Sequence, residues 1–330
     1  MHHRITAAVV GVVLASLIAL ASAQTTLPGS GPAYPAKPIR IVIGTPAGGG
    51  SDLMARTIGQ LYTQAWGQQV LVEPRPGASG NIAAELVAKS PPDGYTLYVP
   101  YGTHTVNPSI YPRVGYDPIK DFTPISLIAK QYNALVVHPS VPARTVRELV
   151  ALAKSRPGKM TYASSGNGSP THLGMELFKI DAKIDLTHVP YKGAAPSRTD
   201  LLGGNIDTMF DVLRTALPFH TAGRARILAV ASAKRSPLAA DLPTMDESGF
   251  RGIEVLTWHA LLAPAGVAPA IVEQLQGEMR RGLLAPALKD RLLKDGIEAV
   301  ASTPSELDAF MRADIAKWKN VVQTARIRAD

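Results

Sequence analysis

A unit of strand, glycine-rich loop, helix and strand recurs along the chain, and this repeat restricts the possible fold more than any other feature. Its first copy begins with the apolar run 39–43 and the loop 44–50, continues as a helical apolar pattern that Gly67 is expected to end, and closes with another strand. A second copy starts with a strand at 160–163 and a loop at 164–170. Because parallel strands need a crossover, usually a helix, the repeat predicts an α/β fold with parallel sheets.

Two long extended segments, at 125–138 and 255–262, bracket a central block that has βαβ units of its own. A block inserted between two crossings indicates two lobes joined by two strands, with a cleft between them. Ligands in open α/β sheets bind beyond the carboxyl ends of the strands, so the glycine-rich loops are expected to face this cleft. The predicted division is a signal peptide at 1–23, a linker at 24–35, a first lobe at 36–132 and 259–330, and a second lobe at 133–258. The C-terminal part of the first lobe is expected to be largely helical, with one short strand near 297–300.

The N-terminal segment indicates export. A short basic start is followed by an uncharged run from Ile5 to Ala23, which ends in the small residues Ala21, Ser22 and Ala23. This pattern is typical of a signal peptide cleaved after Ala23, and the alternative is an uncleaved membrane anchor. We therefore expect a periplasmic protein.

Composition excludes several chemistries. The chain has no cysteine, which rules out disulfides, thiolate nucleophiles and iron–sulfur clusters. Its histidines lack metal-ligand spacing, so we predict no metal and no cofactor. Lys and Arg outnumber Asp and Glu by 34 to 26, but the basic residues are dispersed and aromatic residues make up only 6% of the chain. Nucleic acid is therefore not an expected partner.

The first glycine-rich loop fails the known nucleotide motifs. It has no lysine where a P-loop needs one, and Leu53 stands where a dinucleotide fingerprint needs its last glycine. The loop still leads into a predicted helix N-terminus, with Ser51 as the expected N-cap. The backbone N–H groups at the start of this helix would attract an anion. The alternative is that the glycines only permit a tight turn.

The second loop, 164–169, raises the question of a nucleophilic serine, because His172 follows closely. It lacks the G-x-S-x-G pattern, and adjacent turns cannot supply base, orienting group and oxyanion hole together. Ligand-binding hydroxyls and an N-cap are the favoured roles. A serine hydrolase using Ser165 and His172 stays as an alternative.

Six motifs occur in the order found in one family. They are PAGGGSD at 46–52, EPRPGASGNI at 73–82, PDGYT at 92–96, YASSGNG at 162–168, VPYKG at 189–193 and DLLGG at 200–204. With these motifs the chain resembles the Bug family, the periplasmic solute-binding proteins associated with tripartite tricarboxylate transporters. The likeness extends from about Pro38 to the C-terminus and includes Trp258.

The resemblance implies a type II periplasmic binding protein fold, with two α/β lobes, a two-strand hinge and a central cleft. It implies a monomeric, non-enzymatic receptor that captures a small carboxylate and delivers it to membrane permease subunits. The ligand would be a dicarboxylate, a tricarboxylate, an amino acid or an aromatic acid. A receptor for carboxylate sensing is the alternative role.

The resemblance also implies a set of ligand-binding residues, because the family holds a carboxylate mainly with backbone amides, hydroxyls and ordered waters. Carried over by motif, the set is Thr45, Pro46, Ala47, Gly48, Gly49, Ser51, Asp52, Thr103, His104, Ser164, Ser165, Gly168, His172, Tyr191, Lys192, Gly193 and Asp211. We expect Asp52 to cap its helix, and Asp211 is either a ligand residue or a structural turn residue. Thr45 stands where the family often has Phe, which predicts room for a bulkier acid.

Overall fold

Parallel and antiparallel strands alternate with helices in the computed structural model, which describes residues 34–328. The strands are β1 (Ile39–Ile43), β2 (Val70–Pro74), β3 (Thr96–Val99), β4 (Phe122–Val137), β5 (Thr161–Ser164), β6 (Thr187–Pro190), β7 (Thr208–Val212), β8 (Arg226–Val230), β9 (Leu256–Pro264) and β10 (Glu298–Ala299). The α-helices are α1 (Gly50–Trp66), α2 (Asn81–Ala88), α3 (Thr103–Ile110), α4 (Val146–Ser155), α5 (Pro170–Ala182), α6 (Ala194–Leu202), α7 (Leu213–Thr221), α8 (Pro269–Leu283), α9 (Pro286–Lys294) and α10 (Pro304–Ala325).

Two groups of strands share the long strand β4. In the first group the order is β2-β1-β3-β9-β4, with β1 parallel to β2 and β3, and with β9 antiparallel to β3 and β4. In the second group the order is β4-β7-β5-β6, with β5 parallel to its two neighbours and β8 antiparallel to β4. Along β4, pairing with β9 runs to Tyr132 and pairing with β7 begins at Asn133. The long extended segments predicted from the sequence are therefore β4 and β9, which run side by side.

Local sequence explains the first βαβ unit. Within β1 the successive side chains of Ile41, Val42 and Ile43 are fully buried, as expected for a strand covered on both faces. The next helix, α1, buries residues at helical spacing and ends where Gly67 adopts a left-handed conformation, with φ 68°. Each large apolar side chain buried in this way contributes about 1.5–3 kcal/mol relative to an exposed one. The strand, loop, helix and strand predicted here are thus confirmed.

Two short helices were missed by the sequence analysis, and both bear on the site. Thr103 and Leu213 begin α3 and α7, which contain Pro108 and Pro218 respectively. An internal proline removes a helical hydrogen bond and disguises the helical pattern. The N-cap prediction for Ser51 was also wrong, because the N-cap of α1 is Gly49 and Ser51 lies inside the helix.

The C-terminal region returns to the first group of strands. The short strand β10 pairs with β4, as expected near residues 297–300. The last helix, α10, starts with a capping box formed by Thr303 and Glu306, and it packs against α3, β4 and α5. The chain from Lys37 onward forms one compact unit. Its division into lobes at the positions given above stays a prediction.

No helix among residues 34–328 is long and apolar enough to cross a membrane. The predicted signal peptide and residues 24–33 of the predicted linker lie outside the described part of the chain.

Candidate functional site

A cavity of about 630 Å³ lies where the carboxyl ends of several strands meet. Its wall includes loops that follow β1, β3, β5 and β6, the end of β7, and residues of the crossing strands β4 and β9. Seven of the residues expected at the site line it: Thr45, Thr103, Ser165, Tyr191, Lys192, Gly193 and Asp211. The structure therefore brings residues from five separate segments of the chain to one place.

Five helices begin at this cavity. Its wall includes the first residue of four helices, which are Gly50 of α1, Thr103 of α3, Pro170 of α5 and Ala194 of α6. It also includes Val212, the N-cap of α7. No side chain caps α1, α3, α6 or α7. Backbone N–H groups in the first turn of a helix lack helical partners, and the aligned peptide dipoles place partial positive charge there. The convergence of five such ends favours an anionic ligand.

The first glycine-rich loop contributes less than expected. Thr45 and Gly50 line the cavity, whereas Pro46 to Gly49 are exposed and do not line it. A Cβ atom on Gly50 would lie 3.0 Å from Cε1 and Nε2 of the buried His259, while one on Gly49 would meet nothing closer than 3.8 Å. Gly44 and Gly50 are therefore the loop glycines that the packing requires, since a Cβ on Gly44 would lie only 2.7 Å from the Gly80 Cα atom. Contact of residues 46–49 with a ligand stays a prediction.

Asp52 braces this loop and does not line the cavity. It is 6% exposed, and its Oδ2 accepts hydrogen bonds from Gly48 N at 3.1 Å and Arg56 Nε at 2.9 Å. The bond from Arg56 lowers the pKa of the Asp52 carboxyl, with a further contribution from the Gly48 N–H, against the opposing effect of burial. Asp52 therefore binds the residue before the N-cap and does not cap the helix, so the expected capping role was wrong. Asp52 fixes the turn that leads into α1.

A neighbouring segment at 77–80 also reaches the cavity, through Ser79. Ala78 and Ser79 have φ values of 46° and 54°, which are strained for residues with a Cβ. The Ser79 carbonyl accepts hydrogen bonds from Thr103 Oγ1 at 2.8 Å and Asn107 Nδ2 at 3.0 Å. Ser79 lies within a family motif but was not expected at the site. The sequence GASG at 77–80 could have indicated this segment, because glycines flank the two strained residues.

His104 lies in the core and not on the cavity wall. Its ring stacks on Tyr116 at 5.3 Å between centroids and meets Phe122 edge-on at 4.9 Å, and its Nε2 lies 3.2 Å from the carbonyl oxygen of Pro118. Burial lowers the pKa of His104 to about 4. The ring is therefore a neutral part of the packing, and Thr103 is the residue that faces the cavity.

In the second loop, too, some of the expected residues line the cavity and others lie behind its wall. Ser165 lines the cavity, and so do Gly166, Asn167, Ser169 and Thr171, whereas Ser164, Gly168 and His172 do not. As expected for this loop, a serine caps the next helix, since Ser169 Oγ accepts from His172 N at 3.3 Å.

Ring stacking and hydrogen bonds stabilise this loop through residues that do not line the cavity. His172 stacks on His188 at 4.0 Å, and its Nδ1 accepts from Gly168 N at 3.1 Å. Ser164 Oγ lies 2.7 Å from His188 Nε2. Burial, followed by the neighbouring His188, lowers the pKa of His172 to about 3. These residues shape the loop that carries Ser165.

The geometry disfavours a serine hydrolase. Ser165 Oγ lies 3.1 Å from Thr171 Oγ1, and the Nδ1 of His172 is already occupied by the Gly168 N–H. A nucleophilic serine needs a base within hydrogen-bond reach, and a threonine hydroxyl is not one.

Charge on the cavity wall comes from two side chains with different surroundings. Asp211 is 2% exposed, and Arg198 binds both its carboxylate oxygens, at 2.5 Å and 2.8 Å. Lys192 is exposed, and no carboxylate among residues 34–328 forms an ion pair with it. The negative charge of Asp211 is thus compensated, which leaves the wall favourable to anions.

The crossing strands supply residues that the sequence analysis did not select. Asn133 of β4 and Thr257 of β9 line the cavity. Asn133 is fully buried, and its Oδ1 has no hydrogen-bond partner among residues 34–328. No clear signal in the sequence marks it, because the polar residues Lys130 and Gln131 precede it in the same strand.

Comparisons with known proteins agree with this architecture. Residues 54–327 match the family described as the tripartite tricarboxylate transporter family receptor. A protein encoded in the tcbD-tcbE intergenic region of Pseudomonas sp. strain P51 is 35% identical over 299 residues, covering 90% of this chain and 89% of that protein. Protein BugT of Bordetella pertussis is 32% identical over 308 residues, covering 93% of this chain and 94% of BugT.

Solved structures show the same likeness. A protein from R. palustris with adipate is 38% identical, with a TM-score of 0.79 over 89% of this chain and 99% of that one. The periplasmic binding protein BugD is 32% identical, with a TM-score of 0.75 over 90% of this chain and 100% of that one. MatC from Rhodopseudomonas palustris, with bound malate, is 30% identical, with a TM-score of 0.75 over 88% of this chain and 100% of that one.

Fold and relatives together define a periplasmic solute-binding protein, a class of receptors and not of enzymes. The predicted α/β periplasmic binding protein fold and the resemblance to Bug proteins are both confirmed. Within that class, the chain belongs to the tripartite tricarboxylate transporter receptor family.

Proposed function

We propose that this protein is an extracytoplasmic receptor that captures a small organic carboxylate in the cavity and delivers it to the permease subunits of a tripartite tricarboxylate-type transporter. The convergence of five helix N-termini on one cavity carries the proposal, because this arrangement suits a carboxylate without requiring an arginine. Two structural neighbours, one with adipate and one with bound malate, support the same ligand class.

The ligand contacts we propose come from both groups of strands. Thr45 and Thr103 lie on segments that follow strands of the first group, whereas Ser165, Lys192 and Gly193 follow strands of the second. A ligand that touches both binds more tightly when they approach each other, so binding shifts the population toward a closed form. The protein acts in this proposal as a periplasmic monomer, released by signal cleavage after Ala23.

Isothermal calorimetry on the purified mature chain tests the proposal, with di-, tri-, amino and aromatic carboxylic acids as ligands. We expect binding of one acid to one protein molecule, with a slower association rate at high salt because salt screens the long-range attraction between Lys192 and the anion. Failure of a folded protein to bind any of the acids would contradict the proposal. A matched panel of primary amines is the control, since helix N-termini repel cations.

A further inference from the structure

The side chain of Asn133 is fixed at the point where β4 changes partners. Its backbone N donates to Val255 O at 3.1 Å, and its backbone O accepts from Ala231 N at 2.7 Å. Its Nδ2 donates to Val255 O at 2.9 Å and lies 3.4 Å from Thr257 Oγ1. The Val255 carbonyl can only accept, so it determines which end of the amide faces it. Oδ1 therefore faces the other way.

That oxygen is the unsatisfied group of the network. Asn133 is 0% exposed and lines the cavity, and no group in the described part of the chain forms a hydrogen bond with its Oδ1. Buried polar atoms are nearly always paired, and an amide oxygen can only accept a hydrogen bond. The missing partner must therefore carry an O–H or N–H group. Thr45 Oγ1, also on the wall and unpaired, does not restrict the choice, because a hydroxyl both donates and accepts.

A carboxylate cannot fill this role, because it has no hydrogen at neutral pH. The donor must therefore belong to another group of the ligand or to an ordered water, and equal binding within the acid pairs below would indicate the water. An ammonium group would meet Lys192 on the same wall, while the carboxylate of Asp211 is bound by Arg198. A hydroxyl group brings the required hydrogen without a charge.

We infer that Asn133 determines specificity by accepting a hydrogen bond from a hydroxyl group of the ligand, so that the cavity selects hydroxy-substituted carboxylates over the corresponding unsubstituted acids. This inference rests on the proposed function and names the substrate class of the same site. The five helix ends attract the carboxylate groups, and Asn133 recognises the hydroxyl.

Calorimetry with acids that differ by one hydroxyl tests the inference. The probes are succinate against malate, glutarate against 2-hydroxyglutarate, and adipate against 3-hydroxyadipate, with aspartate and glutamate as the ammonium counterparts. In the pair that fits the cavity best, we expect the hydroxy acid to bind about tenfold more tightly or better, since leaving a buried acceptor unpaired is unfavourable.

Two variants locate the effect. In Asn133→Leu the preference should fall to about twofold or less, while the unsubstituted acid keeps its affinity. Val255 O keeps a partner in this variant, because the backbone N of residue 133 still donates to it. Gln131→Leu is the control, since it removes a polar amide of the same strand that does not line the cavity, and it should keep the preference.

The outcomes separate the two proposals. Equal binding within every pair, or tighter binding of aspartate or glutamate, overturns the inference and leaves the receptor function standing. An unchanged preference in Asn133→Leu also overturns it. If that variant does not fold, the wild-type pairs alone decide. Absence of binding to every acid overturns the proposed function, and the inference with it.

Discussion

At the scale of single residues, the packing assigns different roles to adjacent glycines. We expect Gly50→Ala to weaken ligand binding at least about tenfold, because its Cβ would lie 3.0 Å from the buried ring of His259 at the start of α1. Gly49→Ala is the matched control and should bind normally, since its backbone is extended and its Cβ has room. Calorimetry with the best acid of the panel measures both. Equal losses in the two variants would show that loop flexibility, and not this contact, matters.

Single residues also show how precisely the sequence could locate the cavity wall. Thr103 and Thr171 face the cavity, whereas the next residues, His104 and His172, face the interior. Successive residues of a helix point about 100° apart, so an error of one position moves a side chain from the wall to the core. The motifs predicted segments that reach the cavity. They could not predict which side chain of each segment lines the cavity, because that depends on the rotation of each helix.

At the scale of elements, α10 holds α3 against the cavity through a half-buried carboxylate. Asp314 accepts from Thr105 Oγ1 at 2.6 Å and from Trp318 Nε1 at 2.9 Å. We expect Asp314→Ala to lower the free energy of unfolding by about 2–4 kcal/mol, because it leaves a buried indole N–H without a partner and opens a void. Denaturant titration measures this change.

Asp308→Ala on the same helix is the control. It removes an exposed pair with Arg312 and should change stability by at most about 1 kcal/mol. A similar loss in both variants would contradict the role of Asp314.

Elements were predictable where one residue pattern decided the structure. The strand β10, a two-residue element near position 298, was expected from its sequence, and α1 ended at Gly67 as predicted. The helices α3 and α7 were not, because each contains a proline and depends on tertiary packing for its stability. These two helices also supply cavity residues, so the missed elements and the missed site residues partly coincide.

At the scale of the whole molecule, three buried neutral histidines couple stability to pH. Burial is the first cause that lowers the pKa in each case, to about 4 for His104 and His259 and about 3 for His172. In the unfolded chain these groups protonate near pH 6.5, so the unfolded state binds more protons between about pH 6.5 and pH 4. Their stabilising contribution is therefore complete above about pH 6.5 and is lost as the pH falls. Each group adds up to about 1.4 kcal/mol per pH unit to the slope.

Denaturant unfolding at pH 7.5, 6.5, 5.5 and 4.5 measures this slope. The raised pKa of Asp314, caused by burial, acts in the opposite direction near the lower end, because that carboxyl takes up a proton earlier when folded. In His104→Phe the aromatic contacts with Tyr116 and Phe122 are kept without a titrating ring, so the slope should fall by about one third. A slope that stays the same in this variant would show that His104 does not contribute, and a stability independent of pH in wild type would contradict the coupling itself.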